Sequence, residues 1–126
     1  MTNSILIVDD DKRLRELLES YLLEKNFKVF TCNDFLPAKE ILSYFIFDLV
    51  IVDRMMPGGD GIDLIQIIKK KYLTPVIMLT AMGESLNRIE GLKKKADDYV
   101  AKPFEPEELY LRIINLLELF NKNLNH

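Results

Sequence analysis

Hydrophobic and polar positions follow two different periods along the chain. The unbroken aliphatic runs Ile5-Leu6-Ile7-Val8, Leu49-Val50-Ile51-Val52 and Val76-Ile77-Met78-Leu79 each stop at a polar residue: Asp9, Asp53 and Thr80. Runs of that length without a polar break fit strands buried on both faces. Between them, apolar residues recur at steps of three and four: Leu14, Leu17, Leu18, Tyr21, Leu22; Ala38, Ile41, Leu42, Phe45; Ile62, Ile65, Ile68, Tyr72; Leu86, Ile89, Leu92; and Leu109, Ile113, Leu116, Leu117, Phe120. Each set marks one face of a helix. Val29-Phe30-Thr31-Cys32 and Tyr99-Val100-Ala101 read as shorter strands, the latter ending at Lys102-Pro103. The pattern is strand then helix, five times over. It predicts an α/β fold with a parallel sheet covered by helices on both faces.

Length and composition narrow the function classes. The chain has 126 residues with 48% hydrophobic and 29% charged positions, enough for one globular domain and too little for a multidomain enzyme. The net charge of −3 leaves no basic surplus to neutralise a phosphate backbone, so direct nucleic-acid binding by this chain is not expected. The lone Cys32 cannot close an internal disulfide, and the lone His126 at the end of the sequence rules out a histidine-based zinc site. Four apolar residues before Asp9 are too few for a secretion signal, and no 18-residue apolar run follows. A cytoplasmic domain without a membrane segment is the expectation. Residues 1–120 are expected to form the domain, with the polar residues 121–126 a loose tail or the start of a linker.

The chemistry sits where the strands end. In an open parallel sheet, ligands bind beyond the carboxyl ends of the strands, at the point where strand order reverses. Asp9-Asp10, Asp53, Thr80 and Lys102 stand at four such ends. Clustered carboxylates repel and have raised pKa values unless a cation relieves them, and Mg²⁺ suits a few carboxylates plus phosphate. Lys102 is a compact charge suited to a phosphoryl oxygen, and Thr80 can donate to another. A carboxylate nucleophile attacking phosphorus would complete the set. The Pro57-Gly58-Gly59-Asp60-Gly61 segment lacks the Lys-Ser/Thr ending of a phosphate-binding loop and reads as a plain turn.

Four blocks, Ile5–Asp11, Val52–Gly61, Leu79-Thr80-Ala81 and Ala96–Phe104, resemble the receiver domain of bacterial two-component response regulators, in order and spacing. The Ala96–Phe104 block is most like the subfamily with a winged-helix DNA-binding domain after the receiver. The resemblance implies a flavodoxin-like (βα)5 doubly wound sheet of strand order 2-1-3-4-5. It implies that Asp53 accepts a phosphoryl group from a sensor histidine kinase. Asp9, Asp10, Asp53 and the carbonyl of Met55 would bind Mg²⁺, while Thr80 and Lys102 would hold phosphoryl oxygens. Thr80 and Tyr99 would form the switch, and Lys102-Pro103 a cis peptide. A phosphorylation-dependent homodimer would use Arg88, Asp97, Asp98, Glu108 and Arg112. DNA would be reached through a C-terminal domain of a longer chain, and the protein would not be an enzyme with sustained turnover. Two positions depart from the subfamily pattern: Lys95 replaces the usual Gly, and Met82 stands where a basic residue is common. Met55 and Met82 would flank the path of an attacking water, and a thioether cannot activate one, so slow loss of phosphate is expected.

Two alternatives share these residues. A haloacid-dehalogenase-type phosphohydrolase would use Asp9 as nucleophile, with Asp97-Asp98 as its later acidic pair. Against it stand Arg13, where Thr or Val is expected, a Lys that follows the acidic pair, and the absence of a cap domain. A receiver that no longer takes phosphate would serve only as an interaction domain, which the complete Asp9, Asp10, Asp53, Thr80 and Lys102 set argues against.

Overall fold

The computed structural model describes residues 2–81 and 96–124, with side chains to residue 121. The predicted fourth helix face, Arg88, Met82 and Lys95 lie outside the described residues.

The aliphatic runs form β1 (Ser4–Val8), β3 (Leu49–Asp53) and β6 (Val76–Ala81), and the shorter ones β2 (Lys28–Cys32) and β7 (Asp98–Lys102). These five form one parallel sheet in the order β2-β1-β3-β6-β7. Counting sheet strands alone, this is the expected 2-1-3-4-5. Met55–Met56 (β4) and Gly59–Asp60 (β5) pair antiparallel as a separate two-residue ribbon, closed by the Pro57-Gly58 turn.

Among the described residues, three helices, α1 (Lys12–Glu24), α2 (Phe35–Tyr44) and α3 (Gly61–Lys71), precede a C-terminal helix, Pro106–Leu124. An aspartate begins each of the first three, accepting from a free backbone N–H of the opening turn: Asp11 from Leu14, Asp34 from Phe35 and Asp60 from Ile62. Helix α1 ends at Lys25, with Asn26 in the left-handed conformation (φ 70°) that a tight stop requires.

Alternate side chains of the central strands feed two cores. Leu6, Val8, Val50, Val52, Val76 and Met78 pack on one face against Ala38 and Leu42 of α2 and Leu64, Ile65 and Ile68 of α3. Ile5, Ile7, Leu49, Ile51, Ile77 and Leu79 pack on the other against Leu18 and Leu22 of α1 and Leu109, Ile113, Leu116 and Leu117 of the C-terminal helix. Burial on both faces explains the unbroken aliphatic runs. β2 lies at the sheet edge and none of its residues is fully buried.

Three local expectations change. Leu17 and Phe45, placed on buried helix faces by their spacing, are exposed at 52% and 60%. The stripe fixes the direction a helix faces, but positions at its margin fall outside the contact. The C-terminal helix also runs on to Leu124, so residues 121–124 of the polar tail are helical rather than loose.

Candidate functional site

The chain leaves β1 outward to β2, then crosses back to place β3 on the other side of β1. That reversal opens a crevice at the carboxyl ends of β1 and β3. Asp9 follows β1 and Asp53 closes β3. Asp53 lies in register with Leu79, one residue before Thr80, and Lys102 lies in register with Ala81, one residue after it. All four predicted strand ends therefore meet at one edge of the sheet.

Carboxylate oxygens of Asp9, Asp10 and Asp53 lie within 4.8 Å of one another. Asp9 is fully buried, Asp53 is 7% exposed, and Asp10 faces solvent. Lys102 reaches in from β7, with Nζ 2.8 Å from Asp9 Oδ2 and 3.4 Å from Asp53 Oδ1. The backbone N–H of Asp11 donates to Asp9 Oδ1 (2.9 Å), fixing that carboxylate's orientation. Among the described residues, Asp9 Oδ2 has the ammonium's charge beside it but no aligned hydrogen-bond donor, though the oxygen is buried. Thr80 is buried beside the cluster at 3% exposure. The Lys102–Pro103 peptide is cis, as expected.

Electrostatics follow from this crowding. Burial, and next the Asp9 charge, push the Asp53 pKa up to about 6, against the partial relief that Lys102 supplies. For Lys102, burial works against the ammonium, but contacts with Asp9 and then Asp53 outweigh it, and its pKa is raised. Among the described residues, Asp9 and Asp53 thus share the Lys102 ammonium, with Asp10 beside them. The buried oxygen without a hydrogen-bond donor and the all-oxygen donor set fit a hard divalent cation such as Mg²⁺.

The other predicted residues are placed as follows. The Met55 side chain is 62% exposed at the mouth of the crevice. Tyr99 is half-buried against the core on the α2–α3 face, and its hydroxyl accepts from the Ala96 N–H at 3.3 Å. Asp98 and Glu108 both hold Arg112: Nη1 is 2.9 Å from an Asp98 oxygen, and Nη2 is 3.4 Å from Glu108. The Asp97 carboxylate accepts from the Val76 N–H (2.7 Å) and pairs with Lys69 (2.6 Å). Asp97 and Asp98 thus stand at the amino end of β7, and Lys102 at its carboxyl end. At about 3.3 Å per strand residue, the strand's length separates Asp97-Asp98 from Asp9. The phosphohydrolase reading needs them together.

Sequence reasoning missed the residues that hold the loop after Asp53. Asp34 Oδ1 accepts from both the Phe35 and the Gly58 N–H (2.7 and 2.8 Å), tying the start of α2 to the turn between β4 and β5. Arg54 is buried and its Nη1 bonds to Asp60. Arg15 Nη1 donates to the Asp9 carbonyl (2.8 Å), steadying the other acidic loop. The aspartates carry a readable signal, because each precedes an apolar helix stripe. Arg15 and Arg54 carry none, because their partners are set only by the fold.

A sequence model for the response regulator receiver domain matches residues 5–114. The chain belongs to the response regulator receiver family. The receiver is 49% identical over 113 residues to protein PetR of Rhodobacter capsulatus, covering 90% of this chain and 48% of PetR. It is 42% identical over 117 residues to the transcriptional regulatory protein SrrA of Staphylococcus aureus, covering 93% of this chain and 48% of SrrA. It therefore spans about half the length of these relatives. Among solved structures, the receiver domain of the Francisella response regulator 1452 superposes with a TM-score of 0.85 at 34% identity, covering 94% of this receiver and 99% of that domain. The family is a signalling switch of two-component systems, and the fold is its flavodoxin-like fold. Among the described residues, no helix is long and apolar enough to cross a membrane.

Proposed function

We propose that this receiver is switched by transfer of a phosphoryl group from a sensor kinase's phosphohistidine to Asp53. The observation that carries the reading is the Lys102 ammonium set between Asp9 and Asp53 in a cluster of three carboxylates. An Asp53 carboxylate oxygen attacks phosphorus, the phosphorus–nitrogen bond to the kinase histidine breaks with its electron pair going to nitrogen, and the ring, already protonated on its other nitrogen, leaves as neutral imidazole. The product is an aspartyl phosphate. Asp9, Asp10, Asp53 and the Met55 carbonyl are the residues that would hold Mg²⁺, which offsets negative charge on the transferring group. Lys102 is within reach of a phosphoryl oxygen on Asp53, and Thr80, on the neighbouring strand, supplies a hydroxyl to another. Drawing Thr80 toward the phosphate is the conformational signal, and Tyr99, on the adjoining strand, relays it.

The output reading follows the relatives, which include a transcriptional regulatory protein. A DNA-binding domain after residues 1–120, joined through the polar stretch 121–126, would make the whole protein a cytoplasmic transcription regulator that dimerises when phosphorylated. The chemistry is tested by incubating the protein with acetyl phosphate and following intact mass. One phosphate is expected with Mg²⁺, and none with EDTA or in Asp53→Asn. Stoichiometric modification of Asp53→Asn would overturn the assignment.

A further inference from the structure

Arg54 directly follows the acceptor, yet its side chain takes no part in the carboxylate cluster. It is only 8% exposed and turns away to Asp60, the residue that caps α3. Nη1 also lies 3.4 Å from Met55 Sδ, while Nε is buried with no acceptor among the described residues. The backbone of the same residue is held twice: its N–H donates to the Leu79 carbonyl (2.9 Å), and its carbonyl accepts from the Gly61 N–H (3.0 Å). Asp60 is equally committed. Oδ2 takes the guanidinium, Oδ1 accepts from the Ile62 N–H (2.9 Å), and its backbone pairs with Met55 in the ribbon.

The pair therefore closes the base of the loop that carries Met55, from Arg54 at its start to Asp60 at its end. With Arg54 buried and Asp60 partly exposed, the ion pair contributes little to stability, and among the described residues one guanidinium donor has no acceptor. Its physical yield is a unique geometry: a guanidinium and a carboxylate in contact admit few arrangements, whereas apolar side chains slide. The loop so fixed presents the Met55 main chain beside Asp53.

We propose that the Arg54–Asp60 pair is a latch that positions the acceptor loop for divalent-cation binding, so that Arg54 and Asp60 are positioning residues for the cation beside Asp53. This rests on the reading that the cluster binds Mg²⁺, and deepens it. Without the latch, the Met55 carbonyl must be ordered as the cation binds, and affinity falls by that ordering while the three carboxylates remain. Arg54→Met removes the charge and keeps an unbranched apolar stem. Asp60→Asn keeps the side-chain oxygen that caps α3 and removes only the ionic partner. Restoring a cation with Arg54→Lys recovers charge without the forked geometry.

The test is Mg²⁺ titration of the whole receiver followed by amide chemical shifts, with urea unfolding in EDTA run in parallel. Arg54→Met and Asp60→Asn are each expected to weaken Mg²⁺ about tenfold, equal to about 1.4 kcal/mol. Arg54→Lys should fall between them and the unaltered protein. The double variant Arg54→Met/Asp60→Asn should be no weaker than either single one, because one latch is lost only once. Equal Mg²⁺ affinity in Asp60→Asn and the unaltered receiver overturns the latch. So does weakening that merely tracks lost stability in EDTA across the variants. Failure of the unaltered receiver to bind Mg²⁺ at all would instead overturn the underlying reading.

Discussion

Among single residues, Asp53 stands apart because its surroundings oppose its charge. Its pKa of about 6 lies above the ordinary carboxylate value of 3.8, first through burial and then through Asp9. The sign of the linkage follows. Below the unfolded value both states are protonated and the group is neutral to stability. Between about 4 and 6 the unfolded chain releases its proton while the folded one retains it, so folding weakens as pH rises. Above the folded value the penalty is complete. Without a cation, Asp53→Asn is therefore expected to stabilise the fold by about 1–2 kcal/mol at pH 8, a figure reduced for solvent screening. The gain should shrink toward zero at pH 4. Urea unfolding in EDTA at both pH values measures it. A gain equal at the two pH values would show that relief of charge is not its source. The same repulsion explains why a divalent cation should stabilise this receiver.

At the scale of elements, α3 must start against the end of β3, and Gly61 makes that approach possible. A Cβ at Gly61 would collide with the Asp53 carbonyl oxygen and crowd the Arg54 Cα. Gly61→Ala is thus expected to cost about 1–3 kcal/mol of stability, because overpacking forces the backbone to shift. That shift displaces Asp53, so phosphorylation by acetyl phosphate should slow as well. Denaturation midpoints and phosphorylation rates on the same sample would check both effects. An alanine variant with unchanged stability would mean that α3 has room to retreat. Gly58 has a parallel role, since a side chain there would run into the Asp34 carboxylate that ties the turn to α2.

At the scale of the whole molecule, the site and the proposed dimer face share one sheet. β7 carries Lys102 at its carboxyl end, with Tyr99 and Asp98 nearer its amino end. Arg112 already holds Asp98 and Glu108 within one chain. Pairing across a two-fold axis would exchange one partly exposed ion pair for another, and such pairs are each worth about 0–1 kcal/mol. The charges would then set register rather than affinity. Beryllofluoride is expected to convert the receiver to a dimer in sedimentation, and Arg112→Glu to block it. A beryllofluoride-treated protein that stays monomeric at high concentration, or a dimer indifferent to Arg112→Glu, would remove this face from consideration.

Sequence by itself determined the alternation of strands and helices, because burial on two faces demands unbroken aliphatic runs and burial on one demands a stripe. It also determined which polar residues end the strands, and so most of the site: Asp9, Asp10, Asp53, Thr80 and Lys102 were legible as a set. Tertiary structure decided what local pattern cannot encode. Only the packed sheet sets Lys102 between Asp9 and Asp53, raises the Asp53 pKa, and brings Asp97 to Lys69 and the β6 backbone. Arg54 and Asp60, and Asp34 and Gly58, meet across loops whose course depends on how α2 and α3 lie on the sheet. Periodicity records which side of an element is dry, whereas partners between elements depend on distances that exist only once the elements have packed.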